Sequence, residues 1–214
     1  MRTLPPDVKF ISAEEALEKA RCLNEGSVSK AKLFNTSELL TPLAQYWYAG
    51  TFGIGYAKFA GPCLVAPNLT TERLDADFFA LIDGRAHAFQ VAEVLEEGRR
   101  RGAEYRELER HGMRVVHIDP EKGHSEGPRW IREAVEKKVS VRYAGAERLH
   151  LVVSANFFAR GLEHSALVEA TISNRTDFAS IWVITADSIC TLHSNGEIGA
   201  IPMWGTFANQ EPEA

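Results

Sequence analysis

Residues 75–93 of the chain read DADFFALIDGRAHAFQVAE, and this stretch decides the predicted fold. The dipeptide Asp83-Gly84 is a strong signal for a two-residue hairpin loop, because a type I′ turn needs positive φ at both central positions. The flanking residues are mostly apolar and aromatic, as a buried pair of strands requires. A loop of this length places Asp77 opposite Gln90. We therefore predict an antiparallel hairpin that carries polar side chains within an apolar sheet.

The composition is that of a globular protein, and 214 residues fit one domain with a full core. Hydrophobic residues make up 45% and charged residues 25%, which excludes disordered, collagen-like and disulfide-scaffold classes. The 3 cysteines form no CxxC pair, so neither a disulfide framework nor a zinc ribbon is predicted, and a cytoplasmic location is expected. The first ten residues lack the apolar core of a signal peptide, and no apolar run is long enough to cross a bilayer. We expect no membrane association.

Helices are predicted before the hairpin. The segment SAEEALEKARCLNEG begins with a capping box, Ser12 with Glu15 three positions on, and ends near Gly26. The segment TPLAQYWYAG predicts a second helix, with Thr41 as N-cap and Pro42 at the first helical position. The following GTFGIGYAKFAGP lacks the glycine spacing of a phosphate-binding loop, so we predict a loop with tight turns there.

After the hairpin the apolar period changes from two to about 3.6. Residues 96–112 predict a helix, 114–119 a short strand, and 127–139 a second helix with Pro128 at its start. Residues 149–155 and 180–185 predict buried strands, and 188–201 a closing hairpin around Asn195-Gly196. This order predicts an α/β fold with a mixed central sheet flanked by helices, in one domain over residues 1–214. Residues 1–65 form its mainly helical part and 157–208 its C-terminal strands.

The predicted hairpin could form a metal site. Directly opposed residues have Cβ atoms about 4.5–5.5 Å apart, so the Asp77 carboxylate and the Gln90 amide oxygen could share one hard cation. Asp75 could add a second carboxylate. Glu93 lies on the opposite face by strict alternation and joins only if the strand ends or bulges there. The alternative is structural: Asp75 caps a strand, Asp77 and Gln90 form a polar pair, and Glu93 caps the next helix.

An arginine ridge follows the hairpin on the predicted helix 96–112. At 100° per residue, Arg99, Arg106 and Arg110 lie within about 40° of one another. Arginine suits bidentate contact with phosphate oxygens, so this ridge could supply the local basic patch that a net charge of -5 makes necessary for nucleic-acid binding. The alternative is a solvated helix face on which glutamates alternate with the arginines.

The run 75–105, with WIREAVEKKVSVRY at 130–143 and LHLVVSANF at 149–157, resembles the PD-(D/E)XK, or restriction-endonuclease-like, nuclease superfamily. The likeness covers roughly residues 70–156 and implies an α-β-β-β-α-β core, here with an N-terminal helical extension. It also implies that an aspartate and an acid-x-lysine on adjacent strands bind Mg²⁺ (or Mn²⁺). By this resemblance Asp77 matches the aspartate, Gln90 matches the acid, and Ala92 falls where the lysine belongs.

The resemblance therefore implies a nucleic-acid-binding protein with a Mg²⁺-dependent, phosphodiester-cleaving site. The implied catalytic and metal-binding residues are Asp77, Gln90 and Glu93. The implied contacts to DNA or RNA phosphates are Arg99, Arg100, Arg106 and Arg110. Ala92 favours an alternative, a catalytically inactive module that binds nucleic acid or a protein partner. The sequence leaves the oligomeric state open, with a homodimer among the alternatives.

Overall fold

The structure is a computed structural model that describes residues 8–25, 37–69, 76–97, 99, 119–143, 145–157, 159, 161–174 and 177–207. Its strands are β1 (Cys63–Pro67), β2 (Phe78–Ile82), β3 (Arg85–Leu95), β4 (Leu149–Asn156), β5 (Ser180–Ile184), β6 (Ser188–Ser194) and β7 (Gly205–Thr206). Its α-helices in these ranges are α1 (Ala13–Glu25), α2 (Ser37–Phe59), α3 (Pro120–Ser140) and α4 (His164–Ala170). These elements confirm the predicted mixed α/β class.

The seven strands form one mixed sheet whose spatial order follows the chain from β1 to β7. Strands β1, β2 and β3 form an antiparallel meander, whereas β3, β4 and β5 run parallel to one another. Strands β6 and β7 return to antiparallel pairing. Parallel neighbours need a crossover connection, and α3 lies in the connection between β3 and β4.

Helices cover both faces of the sheet and bury two apolar cores. On one face, α1 and α2 pack against the sheet around Phe52, Phe89 and Trp182, all 0% exposed. On the other face, α3 and α4 pack over a second core that includes Ile131 and Leu167. Strand residues alternate between the two cores, which is the pattern expected of a sheet buried on both sides. This alternation decides which polar side chains can meet.

Helix α2 is longer than the sequence predicted. It begins at Ser37 and ends at Phe59, so Pro42 lies inside it and the predicted GTFGIG loop is helical. The loop prediction was wrong because these glycines are needed for close packing. A Cβ at Gly53 would lie 2.8 Å from the Ala13 Cβ and 2.9 Å from the Val65 Cγ1. The tertiary contact therefore outweighs the low helix propensity of glycine.

Helix α3 begins seven residues before the first residue of the predicted segment 127–139. Its N-cap is Asp119, whose side chain accepts hydrogen bonds from the backbone N–H groups of Glu121 and Lys122. Pro120 occupies the first helical position, where its missing N–H costs nothing. The prediction took Pro128 for that position, but Pro128 lies inside the helix.

The Asp83-Gly84 hairpin is confirmed, with φ of 49° at Asp83 and 73° at Gly84 and with Ile82 opposite Arg85. The predicted hairpin around Asn195-Gly196 was wrong. The chain turns there, but the following residues form no strand, and β6 pairs instead with β5. A turn signal predicts a reversal of the chain, whereas strand formation also needs an edge to pair with.

Two other expectations fall largely outside the described residues. They are the helix over 96–112, of which the structure describes only 96, 97 and 99, and the strand over 114–119, of which it describes only 119. Within the described ranges, no helix is both long enough and apolar enough to cross a membrane.

Candidate functional site at the β2–β3 hairpin

Asp77 directly precedes β2, on the face of the sheet that α3 covers. Its backbone N–H donates to the Phe89 carbonyl at 2.7 Å. Because Phe89 is already the partner of Phe78, the regular pairing ends at Phe78, and Asp77 does not take the predicted register position opposite Gln90. Its Oδ2 accepts the backbone N–H of Val91 at 2.7 Å. A carboxylate has about four lone-pair sites, so this bond fixes the side chain and leaves acceptor capacity for a further ligand.

Gln90 is 6% exposed and connects β3 to α3. Its Oε1 accepts hydrogen bonds from Lys138 Nζ at 2.7 Å and from the Tyr143 hydroxyl at 3.2 Å. An amide oxygen has two lone pairs, and both are used here. In this arrangement Gln90 anchors the lysine and does not offer its oxygen to a cation. The arrangement brings Asp77, Gln90 and Lys138 to one face of the sheet.

Burial controls the charge states of this cluster. It raises the pKa of Asp77 above its ordinary value of 3.8, and the Val91 hydrogen bond and the Lys138 charge oppose that rise. Burial lowers the pKa of Lys138 below 10.5, which the Asp77 charge opposes and the Lys137 charge reinforces. A lysine with a lowered pKa can exchange a proton closer to neutral pH than an exposed one.

The resemblance assigns a lysine to the position two residues after Gln90, but the residue there is apolar. Ala92 is 6% exposed and belongs to the apolar core beneath α3. Lys138 supplies an ammonium group to the same face from a different element. Sequence reasoning missed this residue because it treated 127–139 only as a covering helix, and Lys138 lies 48 positions from Gln90.

Glu93 does not join Asp77 and Gln90. Strand β3 continues to Leu95 in unbroken parallel register with β4, so the bulge that would turn Glu93 toward them does not form. Its exposed carboxylate lies on the opposite face, where Oε1 accepts a hydrogen bond from Asn156 Nδ2 at 3.3 Å. Because the side chains of β3 alternate strictly, Glu93 does not have the predicted role of a metal ligand beside Asp77.

Of the four predicted arginines, the structure describes Arg99 alone; Arg100, Arg106 and Arg110 lie outside the described residues. The Arg99 guanidinium donates to the backbone carbonyl of Asn156 at 2.7 Å. This bond connects the segment after β3 to the carboxyl end of β4.

A cleft of about 220 Å³ opens beside Lys138 at the carboxyl end of α3. Its lining includes the exposed Arg142 and the half-buried Tyr143 and Asp177. A water molecule occupies about 30 Å³ of liquid, so the cleft has room for several waters or a comparably small polar group. Solvent can therefore approach Lys138 from this side.

Comparison of the chain with protein-family models, with curated proteins and with solved structures finds no significant match.

Proposed function

We propose that the chain is a nucleic-acid-binding protein with a restriction-endonuclease-like core and a Mg²⁺-dependent phosphodiester-cleaving site. The observation that carries the proposal is the meeting of Asp77, Gln90 and Lys138 on one face of the sheet. The described order of a helix, three antiparallel strands, a helix and a parallel strand also agrees with the α-β-β-β-α-β core.

Asp77 is the residue that would hold the cation. Mg²⁺ is commonly held by one or two protein carboxylates and completes its shell with water and substrate phosphate. The donor set at the hairpin fits that pattern, because Asp77 retains acceptor capacity while Gln90 Oε1 is already bonded to two donors. When bound, the cation would supply activation of water and stabilisation of negative charge on the phosphate.

Lys138 has the second role. Its ammonium group donates to Gln90 Oε1 and lies 5.9 Å from the centre of the Tyr143 ring, and burial keeps its pKa below that of an exposed lysine. Placed beside Asp77, it can contact a phosphate oxygen or donate a proton to a leaving group. It would thus replace the lysine that the resemblance predicts at Ala92. Arg99, Arg100, Arg106 and Arg110 would contact the nucleic-acid backbone.

The test is cleavage of plasmid DNA, single-stranded DNA and RNA with Mg²⁺ or Mn²⁺. Asp77→Asn should abolish cleavage, and Lys138→Met should reduce it about 100-fold, the scale of a lost acid–base group. Arg132→Met is the matched control, because Arg132 is an exposed cation on the same helix. Cleavage that persists unchanged in Asp77→Asn would remove the proposed site.

The use of both Gln90 lone pairs favours a second candidate function. In this alternative the chain keeps the fold without the chemistry and binds nucleic acid or a protein partner. Calorimetry distinguishes the two functions by comparing Mn²⁺ binding in the parent chain and in Asp77→Asn. Equal Mn²⁺ binding by the two, or none by either, together with retained nucleic-acid binding, would favour the inactive module.

A further inference from the structure

A pair of histidines lies on the other face of the sheet from Asp77. His87 belongs to β3 and His150 to β4, and both lie on the face covered by α1 and α2. Their nearest ring nitrogens, His87 Nδ1 and His150 Nε2, are 3.3 Å apart. Glu197, exposed in the turn after β6, brings its carboxylate to the pair. One ligand atom from each residue lies within 4.8 Å of the other two.

The spacing of the two nitrogens matches tetrahedral coordination. Zinc holds imidazole nitrogens at about 2.0–2.1 Å, so two ligands at the tetrahedral angle lie roughly 3.3–3.4 Å apart. The histidine pair already has this separation. The carboxylate of Glu197 lies within 4.8 Å of the histidine nitrogens. It would have to move inward by up to about 1.5 Å to reach tetrahedral spacing, and its exposed position on a turn permits that movement.

The buried histidine is held by a second layer of hydrogen bonds. His150 Nδ1 is 2.7 Å from Ser180 Oγ, and Ser180 Oγ also accepts the indole N–H of Trp182 at 2.6 Å. The His150 ring stacks on Phe89, with ring centroids 4.8 Å apart. These contacts fix the ring so that Nε2 is directed to His87. Metal-binding histidines characteristically use the other ring nitrogen in this way.

The charge states are also suitable for a cation. Burial lowers the pKa of His150 to about 3, and it lowers the pKa of His87 below 6.5, so both rings are neutral at neutral pH. Neutral imidazole is the form that binds metal. The negative charge of Glu197 opposes the lowering at His87 and would offset part of the charge of a bound cation.

We propose that His87, His150 and Glu197 form a binding site for Zn²⁺, with water as the fourth ligand. Imidazole nitrogen with one carboxylate favours Zn²⁺ over Mg²⁺, which prefers oxygen ligands. The site is independent of the Asp77 cluster, since strand alternation puts the two on opposite faces. Its structural effect would be to attach the turn containing Glu197 to strands β3 and β4.

The experiment uses the tag-free full chain after treatment with a chelator. Zn²⁺ is titrated in competition with a chromophoric indicator, and the visible spectrum of added Co²⁺ reports tetrahedral coordination. We expect one equivalent of Zn²⁺ to bind and the thermal unfolding midpoint to rise. Binding should weaken ~10-fold or more in His87→Ala and in Glu197→Gln, since each removes a direct ligand.

Matched controls are His124→Ala and Glu169→Gln, both at exposed positions on other elements. These variants, and Asp77→Asn, should bind Zn²⁺ as the parent chain does, which keeps this test separate from that of the proposed function. Circular dichroism of the metal-free variants establishes that they fold. Failure to bind one equivalent of Zn²⁺, or equal affinity in His87→Ala, would overturn the site. A loss in His87→Ala but not in Glu197→Gln would overturn the three-ligand assignment.

Discussion

Lys138 Nζ donates a hydrogen bond to Gln90 Oε1 at 2.7 Å, which connects the last turns of α3 to the middle of β3. The Tyr143 hydroxyl donates to the same oxygen at 3.2 Å. Three side chains from separate segments thus meet beside Asp77 in a half-buried site.

Gln90→Leu should lower the free energy of unfolding by about 1–3 kcal/mol. The substitution keeps much of the side-chain volume but removes the hydrogen-bond acceptor of Lys138 and Tyr143, which are partly buried. A loss of this size is characteristic of buried donors left without an acceptor. Urea unfolding at neutral pH measures the loss. An unchanged midpoint would show that water replaces the amide oxygen at no cost.

Gln90→Glu should strengthen Mn²⁺ binding about tenfold, because a second carboxylate beside Asp77 raises the charge and number of oxygen ligands. Isothermal titration calorimetry measures the affinity. The double variant Asp77→Asn/Gln90→Glu is the control, and it should lose the gain, since the two carboxylates act on one cation. A gain that survives in the double variant would place the cation elsewhere.

Asp77→Asn should become more stable relative to the parent chain as the pH rises. The folded-state pKa of Asp77 is raised above 3.8 by burial, so the folded chain binds the proton more tightly than the unfolded chain. The parent chain therefore loses stability as the pH rises from 3.8 through the raised pKa of Asp77 in the folded state. The Asp77→Asn variant has no such loss, because asparagine does not titrate.

The measurement is the difference in unfolding free energy between Asp77→Asn and the parent chain, from about pH 3.5 to pH 7. Asp83→Asn is the control on the exposed hairpin turn. A difference that shrinks with rising pH would reverse the sign and refute the role of burial in setting the Asp77 pKa.

Gly53→Ala should destabilise the chain, although alanine is the better helix former by about 1 kcal/mol. The added methyl would lie 2.8 Å from the Ala13 Cβ and 2.9 Å from the Val65 Cγ1. Overpacking of this kind costs about 1–3 kcal/mol. Ala57→Gly, at an exposed position of the same helix, reports propensity alone. Chemical denaturation shows whether the substitution lowers or raises the free energy of unfolding. A more stable Gly53→Ala would contradict close packing as the reason for a glycine at this position.

Gly84→Ala should cost about 1–2 kcal/mol, the penalty of a side chain in the left-handed region. The φ of Gly84 is 73°, and no atom lies within 4 Å of the position its Cβ would take, so the cost is that of the backbone alone. Asp83→Asn should be nearly neutral, because asparagine tolerates this region. Equal stability of Gly84→Ala and the parent chain would mean that the turn changes type.

Local signals account for the features that the sequence predicted correctly. The Asp83-Gly84 turn determined the hairpin register, because turn length and positive φ leave one pairing. The capping box at Ser12 predicted the start of α1, and the Ser12 Oγ accepts the Glu15 N–H at 3.1 Å. Strand alternation also identified Glu93 as the doubtful member of the site. Each of these depends on neighbours along the chain.

The sequence by itself determined the mixed α/β class and the Asp83-Gly84 hairpin. Only the tertiary structure decided that Lys138 reaches Gln90 and that His87, His150 and Glu197 meet. Periodicity identifies the buried face of a helix or strand, but it does not specify which distant element packs there. Side chains 48 or 63 positions apart come together only when the sheet and its covering helices assemble.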